Sequence, residues 1–201
     1  MRKAVLMSIR PRWCKLIGRG EKTIEVRKTR PRAILPLKVY IYCTKPSFPH
    51  DDYLVFYTGT NKLRAFHGGG KVIGEFVAHN IVPLSVEYSD PNCSLANREF
   101  PETGLTDREI MDYLGNGKTG YGWIISDLVI YDNPKELSEF YRWWNDGDDI
   151  RPCQNGKRCQ HLVYDYTEGC QACAIDFDGT DCLYLKVTRP PQSWCYVEEL
   201  T

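Results

Sequence analysis

The chain predicts an α+β fold, a small β-barrel flanked by short helices, on three observations. Apolar residues alternate over many short runs separated by Gly and Pro. Only two or three segments hold helical spacing. The 201 residues, 42% of them hydrophobic, suffice for one well-buried domain, residues 1–201, with an elaboration inside it.

Ala4 to Ile9 is a short apolar run that suits a strand buried on both faces or at a barrel seam. Pro11 then fits a first helical turn; Trp13, Leu16 and Ile17 give that helix one apolar side, and Gly18 and Gly20 end it. Ile24 to Arg27 reads as a strand, broken by Arg30-Pro31-Arg32, and Leu37 to Cys43 as the next. Pro46 to Gly70, with its Pro, aromatic residues and Gly68-Gly69-Gly70, reads as an irregular excursion with room for one helix around Tyr53. Lys71 to Val82 resumes alternation. Thr106-Asp107-Arg108-Glu109 is a capping box that opens a helix through Ile110, Met111 and Leu114, stopped by Gly115. Tyr121 to Ile130 is a strand with Trp123 and Ile125 inward, and Asn133-Pro134 predicts a further helix with Leu137, Phe140 and Tyr141 on one face.

Formal net charge is zero, but residues 1–45 hold thirteen Lys and Arg against only Glu21 and Glu25. Such a basic end on a balanced protein suggests a local phosphate-binding surface. Within it, Gly20 to Arg27 places a glycine turn before a strand. Strand alternation puts Thr23, Glu25 and Arg27 on one face and Ile24 and Val26 on the other, while Lys22 can swing over the charged face from the turn. Ionisable groups of both signs thereby converge, as a polar or anionic ligand requires. A solvated face with a surface ion pair worth ~0–1 kcal/mol is the plainer alternative.

Several function classes are set aside. The apolar run after Met1 breaks at Ser8 and Arg10, too short for a signal peptide, and nothing approaches a membrane span of ~18 apolar residues. A soluble cytoplasmic protein with no membrane partner is expected. Gly117-Lys118-Thr119 imitates a phosphate loop, but Asp112 stands where its first glycine belongs, with no buried strand before it.

Nine cysteines in such a compartment argue against disulfides. Cys153, Cys159, Cys170 and Cys173 share the spacing C-x5-C-x10-C-x2-C, which suits a structural zinc ion with Cys170-Gln171-Ala172-Cys173 as its tight jaw. His161 and Cys182 are the substitute ligands. The site would order a zinc-knuckle-like insertion, residues 145–186, too polar to fold on a core of its own. Cys14, Cys43 and Cys195 sit in apolar contexts and read as small core residues.

The spacing G-x-K-x-x-E-x-R at Gly20, Lys22, Glu25 and Arg27 resembles the signature of the ASCH domain, a relative of PUA-like barrels. Ser8-Ile9-Arg10-Pro11, Ile73-Gly74-Glu75-Phe76, Tyr121-Gly122-Trp123 and Arg189-Pro190-Pro191-Gln192-Ser193-Trp194 extend the resemblance, which is to phage- or prophage-type ASCH proteins with a Cys-rich insertion. It implies a compact PUA/ASCH-like β-barrel and a ligand cleft at the signature.

Two functions follow as expectations. The first is binding of RNA, single-stranded nucleic acid or a nucleotide-like ligand. Arg10, Arg12, Lys22, Arg27 and Arg189 would meet phosphates, Thr23 and Glu25 would lie on the same face, and Trp13, Tyr121 or Trp194 would stack a base. The second is an enzyme acting on RNA or a modified nucleoside, either a ribonuclease or an N4-acylcytidine amidohydrolase, with Lys22 and Glu25 as an acid/base pair. The resemblance implies a threonine nucleophile for the amidohydrolases where this chain has Glu25, so binding is the leading expectation.

Overall fold

The computed structural model describes residues 2–48, 50–57, 60–85, 99–142, 162–165, 170–173 and 186–200. Strand β1 (Lys3–Ile9) leads into helix α1 (Pro11–Gly18), with Pro11 at its first position, and then into β2 (Ile24–Arg27) and β3 (Leu37–Cys43). Strands β4 (Tyr53–Tyr57) and β5 (Leu63–His67) form a hairpin, followed by β6 (Lys71–Ala78) and β7 (Ile81–Leu84). The two-residue strands β8 (Glu99–Phe100) and β9 (Leu105–Thr106) flank a 3-10 turn at Pro101–Thr103. Helix α2 (Asp107–Leu114) precedes β10 (Gly120–Ile124) and β11 (Ser126–Glu136). A small ladder pairs β12 (Leu162–Asp165) with β13 (Cys170–Cys173), and β14 (Trp194–Glu198) closes the order.

The main sheet runs β11-β6-β3-β1-β14, with β1 and β3 parallel and the other pairs antiparallel; a second sheet runs β2-β10-β7. β1 is buried on both faces because it lies between β3 and β14 with a core on each side. Val5, Met7 and Ile9 join one cluster with Trp123 and Phe76, while Ala4 and Leu6 join another with Tyr40, Phe140 and Val197. Besides the passages into and out of β2, two pairs of consecutive strands carry the chain from one sheet to the other: β6 to β7, and β10 to β11. Asp127, in the left-handed region at φ 48°, turns the second of these corners.

The expected α+β class stands, but the barrel does not close among the described residues. No ladder joins β14 to β2. In its place, β14 meets the chain after β2 through side chains: Trp194 Nε1 donates to Thr29 Oγ1 at 3.0 Å, and Tyr196 Oη accepts from the Arg32 and Ala33 backbone N–H groups at 2.8 and 3.1 Å.

Two predicted helices are absent. The segment around Tyr53 is strand β4, which buries Leu54 and Phe56 and exposes Tyr53, Val55 and Tyr57. The Asn133-Pro134 helix is the end of β11 followed by one 3-10 turn at Leu137–Glu139. β11 is an edge strand whose register shifts between Ile130 and Lys135, so Pro134 is accommodated there without a lost ladder donor. The capping box is present as predicted: Glu109 N donates to Thr106 Oγ1 at 3.2 Å, and Thr106 N to Glu109 Oε2 at 2.9 Å. No helix among the described residues is long and apolar enough to cross a membrane.

Candidate functional site

A cleft of about 550 Å³ lies where three parts of the fold meet. Ser8 to Trp13 supply one wall, at the end of β1 and the start of α1. Lys22 and β2 supply the floor, and Leu105 with α2 supplies the wall opposite. α2 is held there by Ile110 and Leu114 packing on Val26.

The floor is a buried charge cluster. Lys22, Glu25 and Arg27 are only 2%, 5% and 8% exposed. Lys22 Nζ donates to Ile24 O at 2.8 Å and to Thr103 O at 2.5 Å, and lies 3.2 Å from Glu25 Oε2. Two carbonyls thus accept from the ammonium, and Glu25 Oε2 faces it as an ion-pair partner. Gly104 follows Thr103 with φ +64°, a conformation that favours glycine, and a methyl there would also press on Leu16 Cδ1 at 3.0 Å. Arg27 reaches the other carboxylate oxygen, with Nη2 at 3.0 Å from Glu25 Oε1 and 2.6 Å from Ser8 O. Its buried Nε has no hydrogen-bond partner. Burial pulls the Lys22 proton affinity down, and the nearby Arg27 adds to this, while the Glu25 charge and hydrogen bond oppose it.

Two buried cations and one buried carboxylate leave an excess positive charge facing the cleft. Arg12 stands over the Trp13 ring, its Cζ 4.5 Å from the centroid, and reaches across to Glu109 on α2 at 3.5 Å. That ion pair is exposed, so it contributes little and a ligand can displace it. With Glu109 and Asp112 beside Arg10 and Arg12, the lining holds four cations and three carboxylates. It is therefore of mixed sign rather than uniformly basic.

Of the ligand residues expected from sequence, Arg10, Arg12, Trp13, Lys22, Glu25 and Arg27 meet in this cleft. Four do not line it. Thr23 is exposed and uses its backbone to bind Glu102 O and Ile125 N. Tyr121 lies under the Arg30 guanidinium, 5.9 Å from its Cζ. Arg189 is exposed, and Trp194 packs edge-on against Trp123 and Tyr196. The closing segment enters the cleft through Gln192 instead. Tyr113, Asp112 and Glu109 lay in the capping-box helix, whose approach to Gly20–Arg27 no local signal announces.

Of the proposed zinc ligands, Cys153 and Cys159 lie outside the described residues, as do the substitutes His161 and Cys182. Cys170 and Cys173 begin and end β13, whose backbone pairs with β12. Cys14 and Cys43 are buried, and burial together with the adjacent Cys43 pushes the Cys14 thiol well up, which makes it an inert core group.

No family model matches the chain, and no curated protein does. Among solved structures, the chain is similar to ASCH from Zymomonas mobilis at 23% identity, covering 67% of this chain and 73% of that one with a TM-score of 0.45. It is also similar to two single-substitution variants of that protein, each at 24% identity. One covers 68% of this chain and 77% of that chain with a TM-score of 0.45; the other covers 68% and 75% with a TM-score of 0.46.

Proposed function

We propose that the protein binds RNA or another single-stranded nucleic acid, with one nucleotide seated in the cleft over Lys22, Glu25 and Arg27. The observation that carries this reading is Arg27. It is a buried guanidinium on the cleft floor with an unpartnered Nε, inside a cluster whose cations outnumber its carboxylate. An anionic ligand compensates that charge better than water does.

The cleft wall suits the rest of a nucleotide. Arg10 and Arg12 are exposed cations for phosphate, and the Trp13 ring with the Arg12 plane over it offers a stacking platform worth ~1–3 kcal/mol per base. Glu109 and Asp112 can accept hydrogen bonds from exocyclic amino groups. The resemblance of the Gly20–Arg27 signature to ASCH domains points the same way.

Catalysis by Lys22 and Glu25 is the weaker alternative. The depressed proton affinity of Lys22 favours it, but the Nζ donors are already engaged by Ile24, Thr103 and Glu25. Anisotropy titration of a labelled single-stranded RNA tests the binding reading. Arg12→Ala and Trp13→Ala should each weaken affinity, and Arg12→Ala should also flatten its salt dependence; affinity unchanged in both overturns the placement of the site. RNA left intact after long incubation argues for binding without cleavage.

A further inference from the structure

We propose that the bound strand leaves the cleft along the Arg27–Arg32 segment and ends in a second basic depression, so that the ligand is an extended single strand rather than a mononucleotide. This rests on the reading of the cleft as a nucleic-acid site.

The sequence has no acidic residue between Glu25 and Asp51, so Lys28, Arg30 and Arg32 follow Arg27 with no carboxylate among them. All three are exposed. Five residues of extended backbone span at most roughly 17 Å, more than one nucleotide needs.

The segment is held against the body of the protein. Trp194 and Tyr196 of β14 fix it at Thr29 and at the Arg32 and Ala33 amides. Aromatic rings lie beneath its cations: Lys28 Nζ is 5.2 Å from the Tyr113 centroid and Arg30 Cζ 5.9 Å from that of Tyr121. Tyr113 itself lines the cleft, so the row of cations starts at the proposed nucleotide site.

At its far end Arg32 lines a second depression of about 580 Å³ with Arg2, Lys3 and Lys38. Lys38 is neutralised there by Glu75 and Glu199, each 3.1 Å away. Arg2 and Arg32 are exposed. Exposed cations seated on aromatic rings along one segment are positioned to meet successive phosphates of a single strand.

The test compares a dinucleotide with a strand of about ten nucleotides, within the site sizes of single-strand binders. Wild type should bind the longer strand more tightly. The double variant Arg30→Ala/Arg32→Ala should lose roughly tenfold in affinity for the longer strand and lower its salt slope by about 1.4, two contacts at about 0.7 each, while binding the dinucleotide unchanged. Arg12→Ala should weaken both ligands. If the double variant binds the longer strand as wild type does while Arg12→Ala still weakens it, the track is overturned and the cleft reading survives. If the folded wild-type protein binds neither strand, both readings are overturned. Both substituted arginines are exposed, and an unchanged thermal midpoint confirms that the variant folds.

Discussion

Lys22 Nζ and Glu25 Oε2 lie 3.2 Å apart with both side chains almost wholly withdrawn from solvent, and Arg27 holds the other oxygen of the same carboxylate. Glu25 is thus a carboxylate set between two buried cations. Glu25→Gln should cost about 3–5 kcal/mol, because it leaves uncompensated charge in the interior. Lys22→Met should cost less, since Glu25 keeps Arg27 and only the Ile24 and Thr103 carbonyls lose a donor. Chemical denaturation of the two variants gives the order; equal or reversed losses would show that the cluster is hydrated.

A pH dependence follows from the same lysine. Its folded-state pKa is lowered from 10.5, chiefly by burial, so the unfolded chain holds the proton more tightly. Between the folded value and 10.5 the unfolded state therefore binds more protons, and this group's contribution makes stability rise with pH across that window. The difference in unfolding free energy between wild type and Lys22→Met should accordingly shift in favour of wild type as pH climbs toward 10.5. A difference that stays flat over the alkaline range excludes the shift.

Much of this site is local in origin. Thr106 and Glu109 mark the start of α2 because a capping box satisfies its own orphan donors, and Pro11 marks α1 for the same kind of reason. The convergence of Lys22, Glu25 and Arg27 is readable from strand alternation after a turn. What the strand pattern conceals is burial: Thr103 O and the packing of Ile110 and Leu114 on Val26 come from residues some eighty positions away. The β4–β5 hairpin was hidden differently. Its outer face carries Tyr53, Val55 and Tyr57, so an apolar outer face erases the contrast on which a period of two depends.

Zinc is a proposal from spacing alone. Protein purified under reducing, chelator-free conditions should carry about one equivalent of zinc by elemental analysis, lowered by Cys170→Ser. Metal below about half an equivalent in wild type would sink the assignment.

Gly18 closes α1 against the hairpin, and its environment makes a two-step prediction. A methyl added there would meet the Phe56 ring at Cε1 and Cδ1, well inside contact distance. Phe56 is buried in the same cluster as Cys14 and Ile17 and packs edge-on against Phe66, so the ring has little room to retreat. Gly18→Ala should therefore destabilise by about 1–3 kcal/mol despite the better helix propensity of alanine. Phe56→Leu alone should also destabilise, by loss of ring contacts. The two together should cost less than the sum of the single losses, because the smaller side chain vacates the space the methyl needs. Additive losses in the double-mutant cycle would mean that α1 shifts as a body, and Arg12 and Trp13 at its other end would shift with it.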